Sequence, residues 1–135
     1  MKAIDTNLLV RVLTDDDPRQ AARARAVLCS ETVFVATTVI LETDWVLRSR
    51  FELTQRESSR ALRAFFGLPT VQLENPDRVG QALDRAEDGI DFADALHIGS
   101  ATEAGCEAFL TFDHALMRSG GGKMGLPIAE PKVPR

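Results

Sequence analysis

Four carboxylates in this chain stand where an acid either ends a strand or begins a helix. Asp5 follows Lys2-Ala3-Ile4, and Glu42 comes shortly after the run Thr32-Val33-Phe34-Val35-Ala36. Asp94 lies in Ile90-Asp91-Phe92-Ala93-Asp94-Ala95-Leu96-His97, and Asp113 ends Thr111-Phe112-Asp113. Gathered in one crevice without a counterion, such groups raise one another's pKa through like-charge repulsion and desolvation. A hard divalent cation removes that cost, and an oxygen-only donor set favours magnesium or manganese over zinc or copper. An ion of that kind binds phosphates, orients and acidifies a water, and stabilises charge on a leaving oxygen. The chemistry these acids suggest is phosphodiester hydrolysis.

Each acid also has a plainer reading. Asp91 and Asp94 open a helix, where Asp is a good N-cap and an acid at the third position complements the macrodipole. The cap explains Asp91. It explains Asp94 less well, because Ala93, Ala95, Ile98 and Ala101 describe a closely packed helix in which an unpaired carboxylate is expensive. Asp5 reads equally as a turn or N-cap aspartate. Glu42 falls between the directions of Trp45 and Val46, so the periodicity points it toward the core, where a surface glutamate should not be. Asp15-Asp16-Asp17 is most simply a solvated cap ahead of Pro18.

The elements that must position these groups alternate. Strands are predicted at 2–4, 32–36, 70–73 and 108–110, with a last edge strand at 126–128. Helices are predicted at 8–13, 19–29, 39–50, from the capping box Thr54-Gln55-Arg56-Glu57 to Gly67, at 77–86, from Asp91 to Gly105, and at 114–117. In the second helix Ala22, Ala26 and Cys29 are expected to face inward, and Thr37-Thr38 supply hydroxyl caps for the third. Residues 119–122 form a flexible breaker, and 130–135 a loose tail. Strands and helices in this alternation imply an α/β fold, a three-layer α/β/α arrangement around a central, mainly parallel sheet of four to five strands. In that architecture ligands bind outside the carboxyl ends of the strands, where all four acids can reach.

At 135 residues the chain has the size of one domain, taken here as residues 1–135. No apolar run approaches the roughly 18 residues of a membrane span, and the N-terminus lacks a signal-peptide apolar region, so the expected location is cytoplasmic. Cys29 and Cys106 show no metal or disulfide spacing and are expected to be buried. The net charge of −4 argues against a domain that holds nucleic acid mainly by a basic field. The deficit is uneven: residues 68–135 carry six Lys/Arg against eleven Asp/Glu. Acids neutralised by a bound cation in use do not exclude an RNA substrate.

Ala3-Ile4-Asp5-Thr6-Asn7, Glu42, Asp91-Phe92-Ala93-Asp94-Ala95-Leu96-His97 and Thr111-Phe112-Asp113, in this order, resemble the PIN domain, most closely the VapC-type ribonuclease toxins of bacterial toxin–antitoxin pairs. The likeness spans almost the whole chain, and its specificity lies in the order and separation of the four motifs. The resemblance implies a Mg2+- or Mn2+-dependent endoribonuclease in which Asp5, Asp94 and Asp113 hold the metal and Glu42 completes the catalytic set. It implies that Thr6, Asn7 and Thr111 support the acids, with ordinary turn hydrogen bonding the alternative for all three and an equal account of Asn7. It further implies a homodimer and a cognate antitoxin that blocks the site. On this reading a metal-activated water attacks the scissile phosphorus, Asp5 and Asp94 hold the principal ion, and Asp113 and Glu42 shape a second position. His97 is assigned a supporting role rather than that of ligand or base. Arg19, Arg23, Arg48, Arg118 and Lys123 are candidate phosphate contacts, each with a solvated face as the plainer account. Two rivals remain: a PIN-like module that binds RNA or protein without cutting, and, more weakly, an aspartyl-nucleophile phosphatase, which normally has a second Asp where this chain has Asn7.

Overall fold

Short apolar runs bounded by polar caps become two compact units, Met1–Asp77 and Arg78–Arg135. A computed structural model of the chain describes residues 1–120 and 124–134. Part of the expected breaker at 119–122, the candidate phosphate contact Lys123 and the end of the tail at Arg135 lie outside the described residues.

The first unit is built on three parallel strands, β1 (Lys2–Ala3), β2 (Val33–Val35) and β3 (Val71–Leu73), in the order β1-β2-β3. Lys2 and Ala3 pair with Val33 and Phe34, and Val33, Phe34 and Val35 pair with Val71, Gln72 and Leu73. Val33 and Val35 on the middle strand are fully buried. The first strand, expected to be buried, is exposed at Lys2 and Ala3, and burial begins at Ile4. Parallel neighbours need helical crossovers. These are α1 (Thr6–Thr14) with α2 (Pro18–Ser30), and α3 (Thr37–Ser49) with α4 (Gln55–Phe66). Helix α1 packs on α2 and α3, and α4 packs on α3 and β3.

Local chemistry sets the ends of these helices. Asp17 caps α2 by accepting from the Gln20 amide at 3.1 Å, and Pro18 occupies its first turn. The α4 capping box is present as predicted, with the Thr54 hydroxyl accepting from the Glu57 amide and the Glu57 carboxylate accepting from the Thr54 amide. Two expectations fail. Helix α3 begins at Ala36 with no side-chain cap from its own start; the Thr37 amide instead donates to the Glu74 carboxylate, just past β3, at 2.9 Å. In α2 the buried residues are Ala21, Ala24 and Leu28, whereas Ala22, Ala26 and Cys29 are exposed. Alanine lies on nearly every face of that helix, so Leu28, which buries far more apolar area than Cys29, sets the phase.

The second unit continues α5 (Pro76–Glu87) into α6 (Phe92–Glu103), β4 (Phe109–Leu110), α7 (His114–Gly120) and β5 (Ile128–Ala129). Phe109 and Leu110 pair in parallel with Ile128 and Ala129. Every strand pairing among the described residues is thus parallel, as the α/β reading requires. The pairings form a three-stranded and a two-stranded sheet rather than one ladder of four or five strands. Val79, Leu83, Phe92 and Ile98 are buried almost completely on α5 and α6, and Arg78 and Glu103 are ion-paired. Gly105, with φ +79, turns the chain out of α6 and leaves Cys106 exposed. Both cysteines are therefore surface thiols, against expectation. No helix among the described residues is long and apolar enough to cross a membrane.

Candidate active site

In the first unit the chain leaves β1 through Ile4 and enters α1 at Asp5, which is the N-cap of that helix. Its Oδ1 accepts from the Leu8 amide at 2.9 Å. One carboxylate oxygen is committed to the backbone, which fixes the side chain's direction. The next residue, Thr6, is buried, and its hydroxyl donates to Oε1 of Glu42 on α3. Asp5, Thr6, Asn7, Val39, Glu42, Trp45, Val46 and Arg50 line one cleft of ≈ 450 Å³.

Glu42 does not point into the core. The buried stripe of α3 is Ile40, Thr43, Asp44 and Leu47, whereas Glu42 is exposed beside Trp45, which is itself 66% exposed. The sector that periodicity assigns to the core is the wall of the cleft, because one of its two large members, the indole, stays in solvent. The buried acid is Asp44, which the sequence pattern does not single out. Its Oδ1 accepts from the Ser58 hydroxyl at 2.7 Å and its Oδ2 from Arg48 at 3.4 Å. Arg48, a candidate phosphate contact, is ion-paired with Asp44. The cleft guanidinium is Arg50, absent from the candidates read in sequence, and Arg23 lines a separate hollow of ≈ 340 Å³ with Arg11 and Gln20.

In the second unit Asp91 caps α6, its Oδ2 accepting from the Asp94 amide at 3.2 Å. Asp94, half-buried in the first turn, has its carboxyl held above the ordinary range. Burial is the main cause, the charges of Asp91 and Asp113 add to it, and His97 opposes it. Asp113 caps α7 through the Leu116 amide at 3.1 Å, and the Thr111 hydroxyl accepts from the Asp113 amide at 2.9 Å. Thr6 therefore bonds the side chain of an acid, whereas Thr111 makes a turn bond with the Asp113 backbone. His97 is exposed on the turn that follows Asp94.

The structure brings Asp5 to the same cleft as Glu42, and Asp94 within electrostatic reach of Asp113. Within either unit, among the described residues, no three acids, histidines or cysteines form a metal cage. Magnesium commonly uses one or two carboxylates and completes its shell with waters and substrate phosphate. Each pair has that composition. The destabilised negative charge at Asp94 is what a cation would relieve, so the residues fit a hard divalent ion.

Comparison with curated proteins gives no match. Among solved structures the chain is similar to VapC20 of Mycobacterium tuberculosis, a sarcin–ricin loop cleaving toxin, at 21% identity and TM-score 0.44, over 89% of this chain and 95% of that one. It is also similar to a chain of VapBC2 from Rickettsia felis, solved with a DNA fragment from its promoter, at 12% identity and TM-score 0.39, over 94% and 96%. The model of the PIN domain family matches residues 2–121, nearly the full length, and the chain belongs to that family.

Proposed function

We propose that this chain is a metal-dependent endoribonuclease, the toxin of a VapC-type toxin–antitoxin pair, with Asp5, Asp94 and Asp113 as metal ligands and Glu42 as the fourth catalytic acid. Membership of the PIN family and the VapC-like wording of all four motifs support the reading. The observation that carries it is the Asp94 carboxyl, kept half-buried against two like charges. Carboxyls perturbed by burial and by like charges cluster at functional sites, and a bound cation would relieve this one. Bound Mg2+ or Mn2+ would supply Lewis acidity at the phosphoryl oxygens and acidify a water. Asp5 and Asp113 are held in place by their helix-capping bonds, so they keep their direction without cost at the moment of reaction. Thr6 fixes Glu42 at the wall of the cleft, where its carboxylate can take a proton from an attacking water. The partners that accompany this reading are an RNA substrate, a cognate antitoxin and a second copy of the chain.

Purified protein assayed on several RNAs with Mg2+, with Mn2+ and with chelator tests it. Cleavage in metal, lost with chelator and in folded Asp5→Asn and Asp94→Asn variants, is expected. Tight RNA binding with no metal-dependent cleavage of any RNA would replace the nuclease with a binding module.

A further inference from the structure

Trp45 is the chain's single tryptophan, the chain has no tyrosine, and the indole is 66% exposed. Leaving so large an apolar ring in water gives up stabilisation that burial would provide, and tryptophan is enriched where a surface makes contacts. Its surroundings are mixed, charged and polar groups beside aliphatic ones. Asp5, Asn7, Glu42 and Arg50 share its cleft, with Val39 and Val46 the only aliphatic members. Along α3 the cleft wall therefore presents a carboxylate at Glu42 and an indole about one turn later at Trp45, with a guanidinium at the helix's C-cap, Arg50. These span about 12 Å of helix rise, enough for a base beside the acids and a phosphate beyond it.

We infer that Trp45 is a stacking platform for an unpaired nucleobase of the substrate, with Arg50 on the adjoining phosphate; the inference rests on the nuclease reading and names what that cleft selects. A net charge of −4 leaves the chain without a strong basic field for a phosphate backbone. Base–aromatic stacking provides affinity that does not depend on such a field and tolerates any base sequence. It also discriminates, because bases in an A-form duplex already have both faces stacked and offer none to the indole. An apolar protein partner fits the cleft less well, since it would bury Asp5, Glu42 and Arg50 beside it.

Because Trp45 is the sole indole, its fluorescence reports on this position alone. Titration with an unpaired RNA of about ten nucleotides, in chelator so that nothing is cut, is expected to quench it, and the same sequence in a duplex is not. Anisotropy of that labelled RNA should show Trp45→Ala weakening binding by about five- to a hundredfold, with Trp45→Phe close to wild type. In metal, Trp45→Ala should raise KM far more than it lowers kcat. Quenching without cleavage in any metal supports stacking while removing the nuclease reading. Metal-dependent cleavage with unchanged binding and KM in a folded Trp45→Ala variant overturns the inference and leaves the nuclease. Fluorescence that tracks protein concentration and self-association instead of RNA also overturns it and assigns Trp45 to a protein interface.

Discussion

The Thr6 hydroxyl donates to the Glu42 carboxylate, so the residue that follows one acid of the site orients another acid 36 positions away in sequence. Thr6 is buried and Glu42 exposed, which makes the threonine the fixed partner and the glutamate the one that is held.

Replacing Thr6 by Val keeps the shape and deletes the bond. Glu42 can turn to water, so the stability loss should be modest, about 1 kcal/mol. The loss in kcat for RNA cleavage should be larger, about ten- to a hundredfold, as for other residues that orient catalytic ligands. Thr6→Ser should recover most of it. A Thr6→Val enzyme with unchanged kcat, measured beside its thermal midpoint, would remove Thr6 from any role in positioning Glu42.

Asp94 and Asp91 separate by the same kind of comparison. The fold holds the Asp94 carboxyl above its ordinary range, so the native state binds that proton more tightly than the unfolded chain does. Its contribution therefore lowers stability as pH rises from the ordinary carboxylate range through the raised value, and is level above that. In chelator near neutral pH, Asp94→Asn should melt slightly higher than wild type, by about one to two degrees, and its stability should rise more steeply with pH on the acid side, because the opposing contribution of Asp94 is gone. It should also lose the added stability that Mg2+ or Mn2+ gives wild type, and at least about a hundredfold in cleavage. Asp91→Ala should instead cost about 1 kcal/mol through the lost cap. Asp91→Asn, which retains a capping oxygen, should bring the Asp94 carboxyl down by removing a like charge. A titration of Asp94 by carbon NMR that does not move in Asp91→Asn would contradict this coupling.

The parts of the fold and of the candidate site that were legible in the sequence are those fixed by bonds between near neighbours. Asp91 as a cap, the Thr54–Glu57 box and Asp17 ahead of Pro18 each need only residues within three positions. The parallel α/β alternation was legible for the same reason, since each strand and helix carries its own periodicity. What failed depends on distant partners. The α3 start is held by Glu74, 37 positions on, and no local signal announces it. Glu42 and Asp44 lie two residues apart on one helix, and periodicity turned Glu42 inward and passed over Asp44 because Trp45 and Val46 made the wrong sector look apolar. Ser58 and Arg48 settle it by satisfying Asp44 inside.

That contrast is testable. Asp44 has 3% exposure and Ser58 none, so Ser58→Ala should leave a buried carboxylate short of a donor and cost about 1–3 kcal/mol. Metal-dependent cleavage by the folded fraction should stay within about twofold of wild type, inside the scatter of changes remote from the chemistry. Glu42→Gln should do the opposite, with a thermal midpoint near wild type and a large fall in kcat. Measuring midpoint and rate for both variants checks the assignment; a stable but inactive Ser58→Ala would show that Asp44 belongs to the chemistry after all.

Glu57 gives a pH prediction away from the site. The Thr54 amide and hydroxyl hold its carboxyl below the ordinary range, and Arg60 contributes further. The native state therefore favours the charged form. The resulting stability is present in full above the ordinary carboxylate range and is lost as pH falls through the lowered value. Glu57→Gln can still accept from the Thr54 amide, so it should remain folded but show a weaker dependence of its thermal midpoint on pH in the acid range. The comparison is cleanest in chelator and in the Asp94→Asn background, because Asp94 titrates in the opposite sense and would mask the slope. Parallel acid-side curves with and without the Glu57→Gln substitution in that background would mean that the capping box is held by its backbone geometry, with the carboxylate charge contributing nothing.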